Sequence, residues 1–167
     1  LDIAYLKCVQ DLIVSSPRNG NELRNLLYTA LEYKDGPFAI RYPKASSEEF
    51  NQNLQAELLP IGSWEVLQNG NDVAILAVGP LTYLALEAAE ELKKLDISCE
   101  VVNCRFIKPM DENYLEFMLE KFSSVLTIEE GVRSGGFGEG VLSWLSSNNY
   151  KGNSSIISLP DKFVEHG

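Results

Sequence analysis

The chain has 167 residues, 45% of them hydrophobic, enough to bury a core of ordinary domain size. Acidic residues outnumber basic ones 24 to 14, for a net charge of −10. That balance argues against non-specific binding to nucleic acid or to an anionic membrane surface, while leaving room for a pocket dominated by a few local cations.

Cys8, Cys99 and Cys104 are odd in number and lack Cys-x-x-Cys spacing. Cys99 and Cys104 fall in or near apolar runs, where buried thiols are common. The pattern points to a reducing, cytoplasmic setting rather than to a disulfide framework or a zinc site. The one histidine, His166, is penultimate, so the sequence holds neither a histidine metal cluster nor a Ser-His-Asp triad. No run reaches the length of a membrane-spanning helix, and the first residues do not read as a signal peptide. The opening LDIAYLKC is amphipathic with nothing before it to pack on, and both ends read as cuts in a longer protein.

LIVSS (residues 12–16) is short, apolar and β-branched, and reads as a buried strand. PRNGN follows as a turn, with Asn21 the expected cap of a helix through NELRNLLYTALEY. Helical spacing puts Leu23, Leu26, Leu27, Ala30 and Leu31 on its inner face. After the stop at Gly36 and Pro37, FAIRYP reads as a second strand, so this first piece is one βαβ unit with a parallel pair. Residues 46–60 are largely polar without a clear period and read as a linker.

Beyond it, WEVLQNGNDVAI suggests a hairpin turning at Asn69-Gly70. VAILAVG reads as a strand buried on both faces. Pro80 opens a helix with Leu84, Ala88 and Leu92 on one face, and ISCEVVNCRFI returns as the next strand. MDENYLEFMLEKF is a helix capped by Asp111; SVLTIEE is a strand, GVRSGGFGEG a glycine-rich loop, GVLSWLSSN a helix and SSIISL the last strand. The expected fold class is α/β, with a doubly wound second domain.

Four features are candidates for chemistry. The loop Gly131–Gly140 lies between a strand and a helix, where backbone N–H groups can receive an anion. Its glycines at 136, 138 and 140 are spaced GxGxG, which is not the dinucleotide fingerprint, so tight packing is the favoured reading. Glu129 and Glu130 end a strand, and a carboxylate there can act as a general base. Alternation lets at most one of them enter a cleft, and a structural role is favoured for both. Arg41, Tyr42 and Lys44 end the first piece's second strand, with Tyr42 and Lys44 on one face and Arg41 on the other. A cation there is well placed for a phosphate; a solvated edge charge is the equal alternative. Arg105, Lys108 and Asp111 form a further polar group that reads more simply as a strand exit and helix cap, and His166 has no evident partner.

Taken together, GPFAIRYPK, NCRFIKPMDE and the EEG–GGFG loop resemble the 1-deoxy-D-xylulose-5-phosphate synthase family over essentially all 167 residues. The resemblance implies that residues 1–45 are the last part of a pyrimidine-binding domain, 46–60 a linker, and 61–167 a C-terminal domain of transketolase type. It further implies a homodimeric enzyme using thiamine diphosphate and Mg²⁺. Such an enzyme decarboxylates pyruvate and joins the two-carbon unit to D-glyceraldehyde 3-phosphate, the cofactor supplying the electron sink. The family's GDG motif, its activating glutamate and its Asp/His segment have no match here, so no catalytic, cofactor or metal ligand is carried over and no activity is expected of the chain alone. One position does carry over: the basic residue after RYP contacts the substrate phosphate, and here it is Lys44, which keeps the charge but not the bidentate fork. The open alternatives are a 2-oxo-acid dehydrogenase β subunit and a stand-alone binding module of the same fold.

Overall fold

A computed structural model describes residues 2–44 and 50–162. His166 therefore lies outside the described residues, as does part of the expected linker. The elements in chain order begin with α1 (Asp2–Lys7), β1 (Ile13–Ser15), α2 (Gly20–Glu32) and β2 (Phe38–Ile40). They continue with β3 (Glu65–Gln68), β4 (Val73–Ala77), α3 (Leu81–Lys93), β5 (Cys99–Asn103) and β6 (Phe106–Lys108). The last four are α4 (Glu112–Lys121), β7 (Ser124–Val132), α5 (Phe137–Ser147) and β8 (Asn153–Leu159).

The α/β class is as expected. A five-stranded sheet runs in the order β3-β5-β4-β7-β8, parallel throughout except for β3. Its two faces are sorted by the two-residue period of β4. Ala74 and Leu76 pack with Leu115 and Met118 of α4 and with Phe137, Val141 and Leu145 of α5. Ile75 and Ala77 pack with Ala85 and Ala89 of α3. Helices on both faces explain why VAILA carries no polar alternation.

The first piece supplies a second, three-stranded sheet in the order β2-β1-β6. β1 and β2 pair in parallel, as the βαβ reading requires. The third strand comes from beyond the linker. NCRFI is not one strand: β5 ends at Asn103, the chain turns at Cys104–Arg105, and β6 pairs antiparallel with β1. Val14 and Ile3 lie in the same core as Leu76 and Phe137, so the two sheets share buried contacts.

Three further expectations are corrected. Asn69-Gly70 does not turn a hairpin, because β3 pairs with β5 instead of β4. Gly70 is required there by proximity: an added Cβ would lie 2.1 Å from the Cys99 carbonyl carbon. The cap of α2 is Asn19, whose Oδ1 accepts the Glu22 N–H at 2.9 Å, and Asn21 is already inside the helix. The buried faces of the helices are also rotated from the leucine stripes. α2 buries Glu22, Leu26 and Thr29 and leaves Leu31 70% exposed; α3 buries Thr82, Ala85 and Ala89 and leaves Leu84 58% exposed. Small residues let α3 approach the sheet closely, which outweighs placing one leucine inside.

Residues 50–60 form no regular element, but they are fastened to α2. Asn21 Oδ1 accepts the Asn51 N–H, Asn25 Oδ1 that of Glu57, and Thr29 Oγ1 that of Leu59, at 2.9, 3.1 and 2.9 Å. These three acceptors recur every four residues and form one stripe along the helix.

Candidate functional site

Lys44 reaches its place by a short route. The Arg41 N–H donates to the Ser15 carbonyl at 2.8 Å, one step beyond β2, and Tyr42-Pro43-Lys44 then leaves the sheet. The segment enters a cleft of about 750 Å³. Its walls come from four places: Pro17–Gly20 after β1, Tyr42–Lys44 after β2, Pro80 and Leu81 after β4, and Glu130 near the end of β7. The first three follow the carboxyl-terminal ends of parallel strands and Glu130 lies in the last part of one, the end where α/β folds gather ligands. The N-termini of α2 and α3 also open here, at Asn19-Gly20 and Pro80-Leu81, and each adds a partial positive charge.

Lys44 is exposed and makes no salt bridge with another described residue. Arg18 lines the same cleft and pairs with Glu65 at 3.5 Å. Of the acidic lining residues Glu87 and Glu130, Glu130 is engaged by Arg41 at 3.3 Å. Asn19 Nδ2 donates to Tyr83 Oη at 3.0 Å and ties the two helix starts together. A lysine beside two helix N-termini, with one of its two carboxylate neighbours already paired, can hold a phosphate monoester.

The other sequence candidates are placed plainly. Alternation holds on β7, with Glu129 buried and Glu130 exposed beside the cleft. Glu129 accepts the N–H groups of Phe137 and Gly138 at 2.9 and 2.8 Å, so the anion position at the start of α5 is filled from within the chain. The glycines give this carboxylate room: a Cβ at Gly136 would stand 2.6 Å from Glu129 Oε1 and one at Gly131 2.9 Å from Glu129 Oε2. Lys7 Nζ donates to the Gly136 carbonyl at 2.6 Å. Burial pushes the Lys7 ammonium below its ordinary value, against the pull of Glu129 and Glu139. At the start of α5 the loop is thus held by bonds from within the chain.

Arg105, Lys108 and Asp111 do not form one cluster. Asp111 caps α4 through the Tyr114 N–H and also accepts the Trp64 N–H. Lys108 donates to the Lys7 and Val9 carbonyls just after α1. Arg105 approaches Glu22 at 3.7 Å and donates to Ser63. Burial pushes the Glu22 carboxyl above its ordinary value, against the pull of the Arg18 N–H, the Arg105 and Arg18 guanidiniums and the Asn103 amide. Cys99 and Cys104 are buried, as their apolar settings suggested, and Cys8 is exposed.

Two lining groups were not singled out from the sequence. Arg18 was read only as part of a turn, although a cation directly between a strand end and a helix cap is a usable signal. Tyr83 gave none, because its place depends on the packing of α3 beside α2. Among the described residues no group of three or more His, Cys, Asp or Glu side chains could hold a metal ion. No helix among them is long and apolar enough to cross a membrane.

The family model described as "Transketolase, C-terminal domain" matches residues 62–167. The chain belongs to the transketolase C-terminal domain family. Over 99% of its length it is 45% identical to a protein of Geobacillus sp. (strain WCH70) named 1-deoxy-D-xylulose-5-phosphate synthase. It is 43% identical, again over 99% of its length, to one of that name from Bacillus cereus (strain AH820). The chain spans 26% of the length of each of these relatives. A solved structure described as "Split gene transketolase, inactive beta4 tetramer" superposes with a TM-score of 0.86 at 30% identity, covering 96% of this chain and 52% of that one. The matched region begins just after the polar stretch fastened to α2, and β1, α2 and β2 precede it.

Proposed function

We propose that this chain serves in a 1-deoxy-D-xylulose-5-phosphate synthase as the part that carries Lys44, a cation for the phosphate of D-glyceraldehyde 3-phosphate. The likeness to synthases of that name along nearly the whole chain carries the reading. The position of Lys44, in a cleft at the ends of parallel strands and beside two helix N-termini, supports its role. In this reading residues 1–45 close a pyrimidine-binding domain, 46–60 are a linker, and 61–167 are the transketolase-type domain. The whole enzyme is a cytoplasmic homodimer that takes pyruvate as its second substrate and releases CO₂.

Thiamine diphosphate and Mg²⁺ are held by parts of the enzyme other than these residues, and the chain alone does not turn over. This chain's contribution is positional: an ammonium group fixed at one end of the aldehyde lowers the entropic cost of bringing its carbonyl to the reacting carbon. The description of the structural neighbour as inactive supports the expectation for the isolated chain.

The test is an assay of the full-length protein with both substrates, thiamine diphosphate and Mg²⁺, following CO₂ and the five-carbon phosphate. Formation of both, with none from the isolated chain, is expected. Acyl transfer to a lipoyl domain in place of the five-carbon product would favour the 2-oxo-acid dehydrogenase reading and overturn this one.

A further inference from the structure

Arg41 lies three residues before Lys44 and is tied to three other elements. Its Nε donates to Asp2 Oδ2 of α1 at 2.9 Å. Its Nη2 donates to the Glu130 carbonyl of β7 at 2.9 Å and to Glu130 Oε2 at 3.3 Å. Its backbone N–H completes the link to Ser15 of β1 at 2.8 Å. The side chain is only 16% exposed. Of these partners, Glu130 also lines the cleft that Lys44 enters.

We propose that Arg41 is a positioning residue for the phosphate site: it pins the Tyr42–Lys44 segment against β7 and occupies the Glu130 carboxylate. The proposal rests on the reading that Lys44 binds the substrate phosphate. Two physical requirements lead to it. Lysine is a compact charge on a flexible stem, so its effective location depends on how firmly its backbone is held, and Pro43 stiffens itself and Tyr42 but not Lys44. Left free, the Glu130 carboxylate would add to that of Glu87 in the same cleft and compete for Lys44 or repel an incoming phosphate. A guanidinium bonded to both the carbonyl and the carboxylate of Glu130 meets both requirements, and a lysine at 41 could not satisfy as many acceptors in that geometry.

The experiment measures kcat and both KM values in the full-length synthase for Arg41→Ala, Arg41→Lys, Lys44→Ala and Arg41→Ala/Lys44→Ala, with the thermal midpoint of each. Arg41→Ala is expected to raise KM for D-glyceraldehyde 3-phosphate about 10-fold and KM for pyruvate less than about 2-fold. Arg41→Lys should fall between Arg41→Ala and the parent, and it serves if the alanine variant does not fold. The double variant should be close to Lys44→Ala alone, because the two residues act through one contact. Adding Glu130→Gln to Arg41→Ala should recover part of the loss.

Equal changes in both KM values, or fully multiplying effects of the two alanine variants, would mean that Arg41 is only a structural tie and would overturn the proposal. A selective effect of Lys44→Ala without one for either Arg41 variant would sink the Arg41 role and leave the Lys44 reading standing. No selective effect of Lys44→Ala would remove both.

Discussion

Glu129 shows how much one buried carboxylate decides. It meets two N–H groups at the start of α5 that would otherwise face the interior without acceptors. Glu129→Ala should cost about 2–4 kcal/mol in urea unfolding, since both donors stay buried. Glu129→Gln should retain part of the stability, because its one amide oxygen can accept from only one of the two. A loss below about 0.5 kcal/mol for Glu129→Ala would contradict the capping role.

Glu22 is a second buried carboxylate, and burial changes its titration. It accepts the Arg18 N–H and the Asn103 amide, both at 2.7 Å, yet burial holds its carboxyl above the ordinary value of 4.5. The native state therefore keeps this proton to higher pH than the unfolded chain. The contribution from Glu22 is fully present below pH 4.5 and falls as pH rises through the elevated value. Glu22→Gln should flatten that limb of a stability–pH curve, while costing about 1–2 kcal/mol at neutral pH because one of the two donors loses its acceptor. An unchanged slope would mean that other carboxyls set it.

At the scale of elements, the polar stripe on α2 is the most specific device. Thr29 Oγ1 donates to the Asn25 carbonyl at 2.8 Å and accepts from Leu59 N–H, so one hydroxyl joins the helix to residues 50–60. Thr29→Val keeps shape and volume but leaves that N–H without its acceptor. The expected outcome is a loss of about 1–2 kcal/mol and faster proteolytic cleavage between residues 50 and 60. Unchanged cleavage would show that the stripe does not fasten this stretch.

The elements also show where residue patterns lead and where they stop. The capping signal of Asp111 and the unbroken apolar run of β4 are local, and local physics reproduces them. Asn69-Gly70 carried an equally local hairpin signal, but β5 offered β3 its partner, and Gly70 is needed for contact with Cys99 instead of for a turn. Leu26 is buried as expected, but Leu31 and Leu84 misled, because periodicity defines a stripe without saying which neighbour comes close. Ala85 and Ala89 give tight helix–sheet contact, and Leu84 is left beside the cleft. β6 was invisible as a separate strand because its partner, β1, lies more than ninety residues earlier in the chain.

For the whole molecule, the two sheets meet through β6 and a shared core, and the cleft opens where their strand ends converge. Lys44 was named as a candidate from its place after RYP, and it lines the cleft. Its surroundings were not legible, because Arg18, Pro80 and Glu130 come from separate strand ends and helix starts that only the fold assembles. The proposed function rests on that lysine, and the most direct measurement is the ratio of KM values in full-length Lys44→Ala and Lys44→Arg. Lys44→Ala should raise KM for D-glyceraldehyde 3-phosphate by about 10-fold or more while moving KM for pyruvate less than about 2-fold, and Lys44→Arg should match or improve on the parent. Equal shifts for the two substrates, or no shift for either, would contradict a phosphate contact at Lys44.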